Sequence, residues 1–107
     1  MDFKKAIKEY YEREISVINR LNLDEINESM NAILDAYNRK GTIYICGNGG
    51  SASTASHFQN DFNKGISEYV DNKFNFVCLN DNVSTMMAIA NDIGYEEVFR
   101  FPLLNKI

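Results

Sequence analysis

The sequence predicts an α/β fold on a parallel sheet, preceded by two helices, on three observations. Through the first forty residues apolar positions recur every three or four, which is helical periodicity. The pattern then changes to "TIYIC" and "FNFVCL", short β-branched or aromatic runs separated by a helix-like run. Strand, helix, strand over some forty residues is a βαβ unit and hence a parallel pair. Third, "CGNGGS" places three glycines where the first strand turns into that helix.

The first helix is expected over Phe3 to Leu21, with Phe3, Ile7, Tyr10, Tyr11, Ile15, Ile18 and Leu21 as one stripe. The second is expected over Asp24 to Arg39, with Asp24 as N-cap and Ile26, Met30, Ile33, Leu34 and Tyr37 as its stripe. "NRKG" should end it, with cations in the last turn and Gly41 at the left-handed stop. Residues 1–40 thus read as a helical hairpin for self-association and 41–107 as the α/β part. After the glycine turn a helix is expected from about Ser51 to Phe62, then a polar loop, "NKGISEYVDNK". Past the second strand come a helix, "VSTMMAIAND", and "GYEEVFRFPLL", helical until Pro102 breaks or kinks it. Two parallel strands do not make a stable sheet, and such sheets need cover on both faces. The domain is therefore expected to be incomplete as given.

At 107 residues the chain is at most one small domain, and 45% apolar with 24% charged residues is ordinary for a globular protein. Its net charge of −4 argues against nucleic acid as a partner. No leader pattern and no apolar run of membrane length is seen, which gives a cytoplasmic expectation without a membrane partner. Cys46 and Cys78 match no metal spacing and read as two buried thiols.

The chemistry gathers in the glycine turn. A loop at the carboxyl end of a parallel strand is where open α/β sheets bind ligands. Gly47, Gly49 and Gly50 allow close approach of an anion, the helix start favours a phosphate, and Ser51 adds a hydroxyl. The stretch is neither G-x-G-x-x-G nor a P-loop, so a plain tight turn capped by Ser51 is the competing reading. One turn further along the helix stand His57, the only histidine, and Asp61, four residues apart on one face. That spacing suits a metal pair, an imidazole beside a carboxylate for proton transfer, or a surface ion pair.

"CGNGGSASTASHF" together with "NDNVSTMMAIANDIGYEEVF" strongly resembles the phosphoheptose isomerases of the sugar isomerase (SIS) domain superfamily, from the first helix to about Phe101. The resemblance implies a three-layer fold of parallel strands between helices and a homotetramer with sites between subunits. It implies interconversion of sedoheptulose 7-phosphate and D-glycero-D-manno-heptose 7-phosphate through an enediol, serving lipopolysaccharide or capsule. Asn48, Gly49, Gly50 and Ser51 would then contact the sugar phosphate. His57 and Asp61 would be catalytic groups or ligands of a zinc ion, and Asn82, Asn91 and Asp92 further candidate substrate contacts. Asp61 stands where the family commonly has a glutamate, one methylene longer, and Asn82 stands where many relatives carry Asp. The family's second phosphate clamp, a serine-rich turn, and a later glutamine and histidine for the metal would follow Ile107. The chain is thus expected to be the N-terminal half of such a domain. Some relatives keep the fold without catalysis, so a sugar-phosphate-binding or regulatory module is the alternative.

Overall fold

The computed structural model describes residues 1–107. The chain divides into two compact units, Met1–Ala32 and Ile33–Ile107, with the division inside the second helix. In the first unit, α1 (Lys4–Ile18) buries none of its residues, and its whole apolar stripe is exposed. Helix α2 (Leu23–Asn38) is capped by Asn22, whose Oδ1 accepts from the amides of Asp24 at 3.0 Å and Glu25 at 3.4 Å. Asp24 is therefore not the N-cap that its residue type suggested. It lies in the first turn, where its charge still complements the helix dipole. No helix of the chain is long and apolar enough to cross a membrane.

The second unit begins with the end of α2. There Lys40, not Gly41, takes the left-handed conformation, at φ 55°. The amides of Lys40 and Gly41 donate to Tyr37 O and Ala36 O, a Schellman closure displaced one residue from the glycine. Strand β1 (Ile43–Ile45) pairs in parallel with β2 (Phe76–Cys78), in the register Ile43↔Phe76, Tyr44↔Val77, Ile45↔Cys78. Between them runs α3 (Gly50–Asn60), then a π-helical turn, Asp61–Ile66, and a 3₁₀ turn, Ser67–Tyr69.

Most of the expected polar loop is thus helical. Its polar side chains satisfy the backbone elsewhere instead of turning the chain. Asn63 donates Nδ2–H to Phe76 O and accepts the Phe76 amide at Oδ1, both at 2.8 Å. Buried Ser67 donates to Phe62 O at 2.7 Å and accepts the Phe74 amide at 3.0 Å. Gln59 accepts the amide of Cys78 and donates to Asp81 at 2.9 Å. The edge of β2 turned away from β1 is occupied by side-chain amides rather than by another strand.

After a 3₁₀ turn, Leu79–Asp81, helix α4 (Val83–Asp92) has the bounds its sequence predicts. A 3₁₀ turn, Tyr95–Glu97, and a short α5 (Arg100–Leu103) follow. Pro102 does not end the helical segment. It sits in the first turn of α5, where its missing N–H has no intrahelical acceptor to lose. The buried apolar residues are Ala36, Ala55, Phe76, Cys78, Leu79, Ile89 and Val98. Beside them an aromatic cluster stacks Tyr37 on Phe74 (4.3 Å between centroids) and Phe62 on Phe76 (4.4 Å). This small core anchors β2 and α3 and so fixes the carboxyl end of the sheet.

Candidate active site

The glycine turn leaves β1 at Cys46 and enters α3 at Gly50. A Cβ on Gly47 would lie 2.5 Å from the carbonyl carbon and oxygen of Ser51, so the loop closes on itself only with glycine there. Gly49 is the N-cap, at φ 56° and ψ −124°, a conformation that side chains disfavour. Ser51 N–H donates to Asn48 O at 3.0 Å, and Ala52 N–H to Gly49 O at 3.1 Å. Gly47 N–H donates to Asn80 Oδ1 at 3.0 Å. The amides of Asn48, Gly49 and Gly50 have no partner within the chain. These three exposed residues, with the Ser51 hydroxyl beside them, present a cluster of donors at a helix start.

His57 Nε2 and Asp61 Oδ2 meet at 3.2 Å, with the side chains 75% and 55% exposed. Counted from Gly50, the helix rise places His57 about 10 Å and Asp61 about 16 Å along the axis. The pair is therefore two to three turns beyond the loop, not one. Both side chains lean back toward the helix start, which shortens the gap. Asp61 is also the first residue of the π-turn, a distortion that recurs at functional sites.

The other candidates are separated. Asn82 caps α4, its Oδ1 accepting the Thr85 amide at 3.1 Å. Asn91 donates to Asp92 at 2.8 Å at the opposite end of α4, about 14 Å along the axis from Asn82. Cys46 is exposed and Cys78 buried, both as free thiols, so the expectation of two buried cysteines holds only for Cys78. Cys46 follows the last residue of β1, where the chain leaves the sheet for the open loop. An imidazole nitrogen and a carboxylate are right in kind for zinc. They are two donors where a zinc site takes three or four, and no three His, Cys, Asp or Glu residues converge in the chain.

Sequence reasoning missed Asn80. Its Oδ1 takes the Gly47 amide while its Nδ2 donates to Ala52 O at 3.1 Å. The strand register explains the contact: two residues past the pair Ile45↔Cys78, Gly47 and Asn80 come side by side. A polar residue just after the second strand was the available signal, but it has no meaning until the register is known.

The SIS domain family model matches residues 6–103. The phosphoheptose isomerase of Helicobacter pylori is 40% identical over 76 residues, covering 71% of this chain and 39% of that protein. The lincomycin biosynthesis protein LmbN of Streptomyces lincolnensis is 40% identical over 90 residues, covering 80% of this chain and 33% of its own length. The phosphoheptose isomerase of Thermodesulfovibrio yellowstonii is 33% identical over 104 residues, covering 92% and 50%. The fold is similar to that of the phosphoheptose isomerase GmhA from Neisseria gonorrhoeae, with a TM-score of 0.80 at 24% identity over 96% of this chain and 54% of that one. The chain thus spans a third to a half of the length of these curated relatives. Matched over nearly all of its length, the chain belongs to the SIS domain family.

Proposed function

We propose that the protein of which these residues form part is a sugar-phosphate aldose–ketose isomerase. Its reaction would convert sedoheptulose 7-phosphate to D-glycero-D-manno-heptose 7-phosphate. The observation that carries this reading is the pairing, on one helix, of an open cluster of amides with an imidazole–carboxylate pair farther along. The free amides of Asn48, Gly49 and Gly50 and the Ser51 hydroxyl hold the phosphate. A substrate anchored there extends along α3, and a chain of several carbons brings its carbonyl end toward His57 and Asp61. Asp61 takes the proton from the carbon beside the carbonyl, and the electrons of that C–H bond form the enediol. The same proton returns to the neighbouring carbon while a hydroxyl proton moves between the two oxygens, so the reaction needs no redox partner. Holding the phosphate fixes which carbons face the carboxylate. The similar proteins named phosphoheptose isomerase support this choice of substrate.

The proposal extends to a zinc ion with His57 Nε2 and Asp61 Oδ2 as two of its donors, the rest coming from outside these residues. Such an ion would polarise the substrate carbonyl. It also extends to a homotetramer, supported by the uncovered stripe of α1, where Tyr10, Tyr11 and Ile15 are each more than half exposed. Two unpaired cysteines support a reducing compartment such as the cytoplasm. Lipopolysaccharide or capsule synthesis is the pathway that heptose phosphates suggest. The second reading, a module that binds sugar phosphate without turning it over, is favoured by the short carboxylate at Asp61.

The test is to incubate the full-length protein with sedoheptulose 7-phosphate and follow formation of the aldose phosphate. Turnover establishes the isomerase. Binding without turnover, at any added divalent metal, gives the second reading, and no binding removes both.

A further inference from the structure

We propose that Asn80 is a positioning residue that sets which amides of the glycine loop are free to meet an anion. The inference rests on the reading that this loop takes the substrate phosphate. Asn80 lies in the turn between β2 and α4, on a different segment from the loop, and reaches it with both ends of its side-chain amide. Its orientation is dictated by chemistry: the oxygen must face the Gly47 N–H and the nitrogen the Ala52 carbonyl. The two bonds flank the loop, one just before Asn48 and one just after Ser51. With Gly47 N–H engaged by Asn80 and Ser51 N–H by Asn48 O, the unengaged donors reduce to Asn48, Gly49 and Gly50. Without Asn80 the Gly47 amide is released, and the first turn of α3 loses its tie to the end of β2. The donors then no longer hold one shape before the anion arrives, and ordering them draws on binding energy.

The experiment compares Asn80→Ala and Asn80→Asp with wild type in the full-length protein. Calorimetry with inorganic phosphate and with sedoheptulose 7-phosphate gives affinities, and hydrogen exchange read by NMR follows the Gly47 amide. Asn80→Ala should lose protection at Gly47 and weaken both anions about tenfold, the scale of one lost hydrogen bond. Asn80→Asp keeps an acceptor for Gly47, so protection should persist. It sets a carboxylate against the Ala52 carbonyl and beside the anion, so affinity should fall further than in Asn80→Ala. A merely structural residue predicts something else: lower melting temperatures with unchanged anion affinity in the folded variants, and that result overturns the proposal. Asn80→Asp has nearly the shape of the native side chain and carries the test should Asn80→Ala fail to fold. Wild type that binds neither anion overturns the phosphate reading of the loop itself. Wild type that binds them, beside variants that bind equally well, overturns only the role of Asn80.

Discussion

The glycine loop and the His57–Asp61 pair lie on one helix but are fixed in different ways. The loop is held from a separate segment by Asn80 at the end of β2, and from within by the close approach of Gly47 to Ser51 and the turn bonds to Asn48 and Gly49. The pair has one contact, across a single turn of helix, with both side chains more than half exposed. Exposed pairs of this kind contribute only about 0.2–1 kcal/mol and constrain little. The difference teaches that the proposed anion site is already shaped within this part of the protein, whereas the proposed proton-transfer pair is not. Among these residues nothing buries the pair, and its one polar contact is the pair itself. Binding and turnover should therefore separate under mutation.

The largest expected effect breaks the two apart. In the full-length protein, Asp61→Asn keeps the side chain's size and removes the proposed base. Isomerisation should fall by about 10²–10⁴-fold, while calorimetric affinity for inorganic phosphate stays near wild type because the proposed anion site is on the loop. Asp61→Glu, one methylene longer, should retain or raise turnover. Normal turnover by Asp61→Asn would make Asp61 a solvated helix residue.

The next effect tests the loop from the inside. At Gly47 a methyl group meets backbone atoms of Ser51 that cannot swing aside, whereas at Gly50 it meets open space. Gly47→Ala should cost about 1–3 kcal/mol of stability by overpacking and lose phosphate affinity with it. Gly50→Ala should be neutral or stabilising by up to about 1 kcal/mol. Thermal melts and phosphate titration of the two variants side by side check this contrast. Equal behaviour would mean that the loop is looser than its contacts imply.

A smaller effect sharpens the other side. Asn63 stands two residues past Asp61 and ties the π-turn to the backbone of Phe76 with two hydrogen bonds. Asn63→Ala should cost about 1–2 kcal/mol in urea unfolding, since it leaves the Phe76 amide unpaired at the sheet edge. It should lower kcat more than it raises KM, because Asp61 rides on that turn and the proposed phosphate loop does not. An equal change in both constants would indicate a general loosening of α3.

These contacts also mark where the sequence could be read and where it could not. Periodicity identified α1 and α2, because each depends on residues three and four apart, and the run Val83–Asp92 was read as the helix α4. The β-branched and aromatic runs located both strands, and glycine spacing located the loop. Asn22 was missed as cap because Asn and Asp cap about equally well and nothing local separates it from Asp24, and Lys40 was missed as the left-handed residue because residue preference favours Gly41. The polar run after Phe62 was misread for a deeper reason. Asn63 and Ser67 look like loop formers, yet here they bond to Phe76, Phe62 and Phe74, and those distant partners are fixed only by tertiary packing. Asn80 stayed hidden because a parallel pair joined by a long crossover carries no turn to reveal its register. The candidate binding loop was therefore readable as a motif, while the residue that shapes it was not.

The smallest effect lies at the end of β2, at the buried Cys78. Burial pushes the Cys78 thiol above its ordinary value of 9.0, outweighing the backbone amide of Asn80 that favours the thiolate. The folded state therefore holds its proton at a pH where the unfolded thiol has released it. Below about pH 9, near the ordinary thiol value, both states are protonated and the stability from this group is fully present. As pH rises from there through the folded pKa, the unfolded state binds fewer protons than the folded one, and stability falls. Urea unfolding at pH 8 and pH 10 should show a larger loss for wild type than for Cys78→Ala, the difference isolating this thiol from the lysines and tyrosines that titrate alongside it. Identical pH dependence in the two proteins would mean that water reaches Cys78 and that the end of β2, from which Asn80 reaches the loop, is open, which would weaken the contrast between a rigid loop and a loosely held pair.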